Sequence, residues 1–441
     1  MRLRRKTAIP ALAIAALTAI AGCSSSGGTS SASSPASAGQ DKPSGTITWY
    51  ANQFGPTSTD VRKTLIAAFE KAYPSITVNL EQAPSDSDTF RSTLETQIAG
   101  GSGSFDVYNG DVVWPAQFGQ AGLAEPLNSY FPSSFWSQFS PGLVTSLTYQ
   151  GKIMAVPIFT DNAFLFYRKD LLTKAKLPVP TTWQQLQSEA ETLQKDHLVK
   201  YGFTAQFDSY EGLTCDWTEF AADAGAASVN PSGTTSTIDS PQALQALDFM
   251  RGLITSGVAP SATTTFQEQQ SESLFTSGQV AFLRNWTYAY ADSNGSGSKV
   301  AGKVGITTLP AFAGHTGPGY SVTGGWNLYL NPHSKNIPAA VAFMTWMGGT
   351  QAQAIIAEQG GEIPTVASVL RDPAVQAANP AFPIAAKNRL NARPSFVASY
   401  AKVSEAIYTN INAALSGSVS PQSALSAANQ QIGSALNNSG L

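Results

Sequence analysis

Thr46-Ile47-Thr48-Trp49-Tyr50, Ile76-Thr77-Val78-Asn79-Leu80 and Phe105-Asp106-Val107-Tyr108 are three short apolar runs that read as strands. Between the first two, Val61, Leu65, Ile66, Phe69 and Tyr73 recur at helical spacing until Pro74 stops them. Between the second and third, Phe90, Leu94 and Ile98 mark another helix, closed by Gly100-Gly101. Strand, helix, strand, helix, strand predicts a parallel α/β sheet. Ligands of such sheets bind beyond the carboxyl ends of the strands. The segments at Asn52-Gln53 and from Asn109 to Asp111 lie at such ends.

Working outward, residues 153–157 and 163–167 read as two further strands, leading to Arg168-Lys169-Asp170-Leu171. Thr182 is an N-cap for a helix to about Lys195, with Trp183, Leu186, Ala190 and Leu193 inward. Ser240-Pro241 supplies a cap and a first-turn proline for a helix ending near Gly257. Residues 279–283 form a short strand before Trp286, and Pro338 opens a helix carrying Ala342, Phe343 and Trp346. Two helices, 395–415 and 421–436, close the chain, and no internal repeat appears. A chain of 441 residues exceeds one compact core, so two lobes are expected.

The N-terminus reads as an address. Arg2, Arg4, Arg5 and Lys6 precede an apolar run, residues 7–21, too short for a comfortable membrane span. Ile20-Ala21-Gly22-Cys23 resembles the bacterial lipobox, in which the cysteine is lipidated and becomes the first residue. Residues 24–45 are rich in Ser, Gly, Ala and Pro, a composition that tethers rather than folds. The expectation is a signal peptide (1–22), a lipidated Cys23 with a linker (23–44), and a body held at the outer face of a cell membrane. The formal charge is -3; without the four leading cations, 22 Lys and Arg face 29 acids, about -7. An acidic body without a basic cluster argues against nucleic acid. Cys215, after an apolar pair, reads as a buried free thiol.

Motifs spread over the body resemble the extracellular solute-binding proteins of sugar ABC transporters. They include Ala67-Ala68-Phe69-Glu70-Lys71-Ala72-Tyr73-Pro74, Phe105-Asp106-Val107 with Asp111-Val112-Val113-Trp114, and Ala155-Val156-Pro157 with Asp161. Tyr167-Arg168-Lys169-Asp170-Leu171-Leu172, Arg284-Asn285-Trp286 and Gly324-Gly325-Trp326 continue the series. Tyr210-Glu211-Gly212-Leu213-Thr214-Cys215-Asp216, with Arg393-Pro394 and Tyr400, looks most like the trehalose/maltose-binding branch. The resemblance implies a two-lobe, type II periplasmic-binding-protein-like α/β fold whose hinge the chain crosses three times. Lobe 1 would be 45–157 plus 327–368, and lobe 2 would be 158–326 plus 369–441. The ligand would sit between lobes that close on it.

A sugar needs polar groups for its hydroxyls and aromatic faces beneath its rings. Carboxylates accept from adjacent hydroxyls through strong charge-assisted bonds. Asp111, after a strand end, is a candidate; a helix N-cap is its other reading. Asp161 and Asn162 interrupt two apolar runs at the first crossing, where a hinge salt bridge is the alternative. Trp286, at a strand end, and Trp326, after Gly324-Gly325, are stacking candidates, although a buried tryptophan usually serves a core. The glycine pair, Gly325 included, would let the backbone approach a ligand. Arg393 offers a planar fork to sugar oxygens, or holds a carboxylate at the surface. Glu211 either reaches the cleft or shapes its loop, and Tyr288 is a further candidate. The resemblance places Asn52, Gln53 and Asp60 where lobe 1 reads the sugar.

A glycoside hydrolase is the rival reading, since it too uses carboxylates and aromatics. No zinc motif, nucleophile elbow or phosphate loop appears. An adhesin would not need paired polar and aromatic residues at strand ends. The sequence therefore predicts a monomeric, non-catalytic binder of a small sugar. It would hand an α-linked disaccharide to a permease, with no metal and no cofactor.

Overall fold

A computed structural model of the chain describes residues 42–55 and 59–437. The expected signal peptide, Cys23 and almost all of the linker lie outside the described residues. The described residues from Pro43 onward form one compact body.

The opening pattern folds as read. Strand β1 (Gly45–Ala51), helix α1 (Val61–Ala72), strand β2 (Ile76–Gln82), helix α2 (Ser87–Ala99) and strand β3 (Val107–Asp111) follow in order. β1 pairs in parallel with β2, Trp49 opposite Leu80, and with β3, Trp49 opposite Val107. Both faces of β1 are covered. Trp49 packs on Phe343, centroids 5.3 Å apart, and Phe343 on Phe69 at 5.0 Å. On the other face Tyr50 meets Phe90 and Phe105, each at 5.2 Å. β3 runs later than its apolar residues suggest, so Asp111 is its last residue and not part of a loop.

The two strands expected at 153–157 and 163–167 are one strand, Ala155–Arg168. The polar pair Asp161-Asn162 looks like a break in the sequence. It stays in the strand because its backbone is matched to Thr323 and Gly324, and Asp161 finds local donors. Pro157 is accommodated at a bulge, where the register against Tyr320–Leu330 shifts between Trp326 and Asn327. This long strand changes partners midway. Residues 155–162 pair with Tyr320–Leu330, while 163–168 pair with Val280–Trp286 and Val304–Thr307. The strand path is β2, β1, β3, Tyr320–Leu330, Ala155–Arg168, Val280–Trp286 and Tyr201–Thr204.

Helices Glu211–Asp223, Pro241–Thr255, Tyr400–Leu415 and Pro421–Asn437 pack as a group beside the later strands. The first of these has no visible period in the sequence. Eleven consecutive residues, 211–221, are buried, so no polar face marks it as a helix. The expected helix from 395 starts at Tyr400 instead, because residues before it turn: Ser395 N–H donates to the Arg393 carbonyl at 2.7 Å. Trp183 anchors this side, its ring 4.3 Å from Phe220. Among the described residues no helix is long and apolar enough to cross a membrane.

Candidate ligand-binding cleft

Where the long strands change partners, a cavity of ≈ 310 Å³ opens. That is the lower end of the range for small-molecule sites. Its walls come from both ends of the strand path. Asn52, Gln53 and Asp111 contribute from the first strands, while Glu211, Trp286, Tyr288 and Arg393 contribute from the second half. Asp161, Gly325 and Trp326, from the crossing strands, line it between them.

One wall is an ion-pair network. The Arg393 guanidinium, 3% exposed, donates to both oxygens of Asp111, at 2.8 and 3.1 Å, and to Glu211 Oε1 at 2.6 Å. Glu211 also accepts from Ser404 Oγ at 2.5 Å and from the Tyr400 hydroxyl. Its own N–H donates to Asp88 at the start of α2, at 2.9 Å. Arg393 is therefore neither a surface arginine nor an open fork. It ties the end of β3 to a helix from the other side of the cleft. Burial pushes the Glu211 carboxyl up to about 7, Arg393 opposes this, and Asp111 adds to it. Glu211 itself is the first residue of a helix, not a loop residue.

The floor is built around Asp161. Its Oδ1 accepts from Asn162 N–H at 2.8 Å, from Thr287 N–H at 3.0 Å and from the Thr287 hydroxyl. Burial raises its carboxyl to about 6, against the pull of those donors and of Arg284. No hinge salt bridge to Asp161 forms among the described residues. Asn52 is held by Asn109, which donates at 3.2 Å and accepts from Trp49 Nε1 at 2.9 Å.

The aromatic wall is Trp286, the last residue of its strand, 8% exposed. Its Nε1 donates to Gln206 at 3.1 Å, and the Arg284 guanidinium lies 4.2 Å from its ring centroid. Arg284 is locked in turn by Glu219, at 2.6 and 2.8 Å, and by Asp216 at 3.1 Å. Such a platform presents a ring whose position is set before any ligand arrives. Trp326 is half-buried, stacked on Phe90 at 6.0 Å and edge-on to Trp114 at 5.9 Å. It serves the core and the cleft together. Gly324 and Gly325 line the cavity, and packing also requires them. A Cβ on Gly324 would stand 2.9 Å from the Trp286 ring, and one on Gly325 would stand 2.3 Å from the Phe159 carbonyl oxygen.

Two candidates fall elsewhere. Asp60 caps α1 and pairs with Arg62 at 2.8 Å, and is not among the lining residues. Through Arg62, which reaches the Ala51 carbonyl at 2.6 Å and Gln82 at 2.8 Å, it braces the rim from behind. Asn162 is buried but turned away, because successive strand residues face opposite sides and Asp161 takes the cavity side. The sequence reading missed Gln82, Glu362 and the run Gln267-Glu268-Gln269-Gln270, all of which line the cavity. The glutamine run was a visible polar signal; Glu362 carried none.

This α/β fold with its polar and aromatic cleft matches the two-lobe binding proteins of the periplasmic type. The chain belongs to the bacterial extracellular solute-binding protein family, whose pattern matches residues 55–354. A probable ABC transporter-binding protein of Deinococcus radiodurans is 35% identical, over 88% of this chain and 93% of its own length. The mannitol-binding protein of Pseudomonas aeruginosa is 26% identical, over 67% of this chain and 68% of its own. Among solved structures, maltose-bound MalE3 of T. maritima superposes with a TM-score of 0.81 at 33% identity, covering 88% of this chain and 98% of its own.

Proposed function

We propose that this chain captures a sugar in the cleft and delivers it to the permease of an ABC transporter. The observation that carries the reading is Trp286, a braced aromatic face set beside the carboxyl groups of Asp111, Asp161 and Glu211 in one cavity. Sugars need that combination of stacking surface and acceptors. The relatives named for maltose and for mannitol support a polyhydroxylated ligand. Within that class the ligand is an α-linked disaccharide of the trehalose or maltose type. Ligand contacts from both sides favour the closed form, since a ligand shifts an equilibrium only through differential affinity. A monomer held by a lipid on Cys23 at the outer face of the cell membrane suits this task. The lobes that close are residues 45–157 plus 327–368 and residues 158–326 plus 369–441. The chain binds its sugar and does not cleave it.

Calorimetric titration of residues 45–441 with trehalose, maltose, sucrose, cellobiose and mannitol tests this. Saturable binding of one or two, with the sugar recovered intact, is expected. No heat with any carbohydrate, or a cleaved product, sinks it. For the anchor, Cys23→Ala in the full chain should move the protein from the membrane fraction to the medium.

A further inference from the structure

Glu362 stands opposite Asp161. Ile363 pairs with Thr160 and Pro364 with Phe159; continuing that antiparallel register one residue beyond the strand brings Glu362 across from Asp161, which acts on its carboxyl. Strand alternation puts Glu362, Asp161 and Phe159 on one face, and all three line the cavity. Two carboxyl groups directly opposite each other repel when both are ionised, and their pairing needs an explanation. Glu362 is 2% exposed. Its Oε1 accepts from Gly55 N–H at 3.2 Å, while its buried Oε2 has no hydrogen-bond partner among the described residues. A buried carboxyl oxygen without a donor is rare in a finished fold. Asp161 is bonded through Oδ1 alone in its contacts with Asn162 and Thr287.

The charge balance of the cavity sharpens this. Five carboxyl groups line it, on Asp111, Asp161, Glu211, Glu268 and Glu362, against one guanidinium, that of Arg393. Arg393 is shared between Asp111 and Glu211. Arg284 lies behind Trp286 and is held by Glu219 and Asp216. The floor therefore offers carboxyl groups that a bound cation would ionise, and among the described residues no lining cation answers them. A sugar hydroxyl can donate one hydrogen bond but brings no charge. A primary ammonium brings three donors and a positive charge.

We infer that the floor of the cleft between Asp161 and Glu362 receives an amino group, so that the solute is an amine-bearing sugar. This rests on the sugar-binding reading above and narrows it. Burial, and then Asp161 facing it, holds the Glu362 carboxyl well above the usual range, and Asp161 is pushed up to about 6. A bound ammonium reverses both effects, because an opposite charge at contact favours the ionised carboxylate. Its charge-assisted bonds are also the stronger kind.

The test titrates the full chain with trehalose and maltose, with their 2-, 4- and 6-amino-deoxy forms, and with the N-acetyl derivative of each amine. At least one amine should bind about 10-fold or more tighter than its parent, as expected for one charge-assisted contact. Its N-acetyl form should lose that gain. Glu362→Gln keeps an acceptor for Gly55 N–H and should shrink the amine-to-parent ratio to within about 3-fold. That ratio is read on one folded variant, so a general loss of affinity does not imitate it. Parents binding as tightly as every amine, or an unchanged ratio in Glu362→Gln, overturns the inference and leaves the sugar-binding reading intact. Failure of every carbohydrate, amine-bearing or not, overturns both.

Discussion

Asp111, at the end of β3, and Arg393, 282 residues later, are joined by two hydrogen bonds of 3.1 and 2.8 Å. The same guanidinium holds Glu211 at 2.6 Å. One side chain thus ties the end of β3 to the helix that begins at Glu211. Each carboxylate would be costly to bury alone.

Replacing Arg393 tests that bridge. Arg393→Met leaves Asp111 and Glu211 buried without a cation. Breaking such a pair from one side costs about 3–5 kcal/mol. The urea midpoint should fall accordingly, and ligand affinity should drop with it. An unchanged midpoint would show that the bridge contributes nothing to the fold.

Trp286 should matter for binding more than for folding. Trp286→Ala removes the ring against which a sugar stacks, with a loss of about 10- to 100-fold in affinity. Arg284 loses a ring at 4.2 Å but keeps Glu219, so circular dichroism should change little. Trp286→Phe restores a face without the bond to Gln206, and should recover part of the affinity. Calorimetry on the three proteins decides it. Equal affinities would remove Trp286 from the site.

Stability should decline as pH rises through neutrality. Burial, as the leading cause in each case, raises the carboxyl of Asp161 to about 6 and those of Glu211 and Asp223 to about 7. The folded state then binds these protons more tightly than the unfolded chain. Their contribution is fully present below the unfolded carboxyl range, near pH 4, and is lost as pH climbs through 6 and 7. The ligand-free Tm should be higher at pH 5 than at pH 8. Asp60 and Asp170 are shifted downward, beside Arg62 and Arg168, and act only at more acidic pH. A Tm that rises across this window would contradict the assignment.

Two glycines should respond differently. Gly325 has φ +123°, and an added Cβ would stand 2.3 Å from a carbonyl oxygen of Phe159. Gly325→Ala should cost at least about 1–3 kcal/mol and disturb Trp326, weakening binding too. Gly122 has φ +66°, and a Cβ added there would meet nothing within 4 Å. Gly122→Ala should cost only about 1–2 kcal/mol, the ordinary penalty for left-handed backbone, with binding unchanged. Chemical denaturation of both variants makes the comparison.

Much of the cleft was legible because strand ends announce themselves. Asn52, Asp111 and Trp286 each lie at or just past the end of a strand, and each lines the cavity. Asp60 misled because a carboxylate before a helix can cap it or face a ligand, and only its Arg62 contact distinguishes the two. Asn162 misled because side-chain direction depends on where a strand begins. The sequence shows a polar pair, while the strand shows which member turns inward. Glu362 could not be found at all, since its meaning comes from Asp161, 201 positions earlier and adjacent only by register.

Local chemistry in the sequence by itself determined the alternating strands and helices between residues 45 and 111, the helix caps at Thr182 and Ser240, and the polar and aromatic character of the ligand site. These depend on spacing and on neighbours a few residues away, which a linear chain displays. Tertiary structure alone decided that 155–168 is one strand that changes partners midway along one sheet, that Arg393 joins Asp111 to Glu211, and that Glu362 meets Asp161 with one carboxyl oxygen lacking a donor among the described residues. Each of those is a pairing of distant segments, and pairing energies depend on burial and geometry that exist only once the chain has folded.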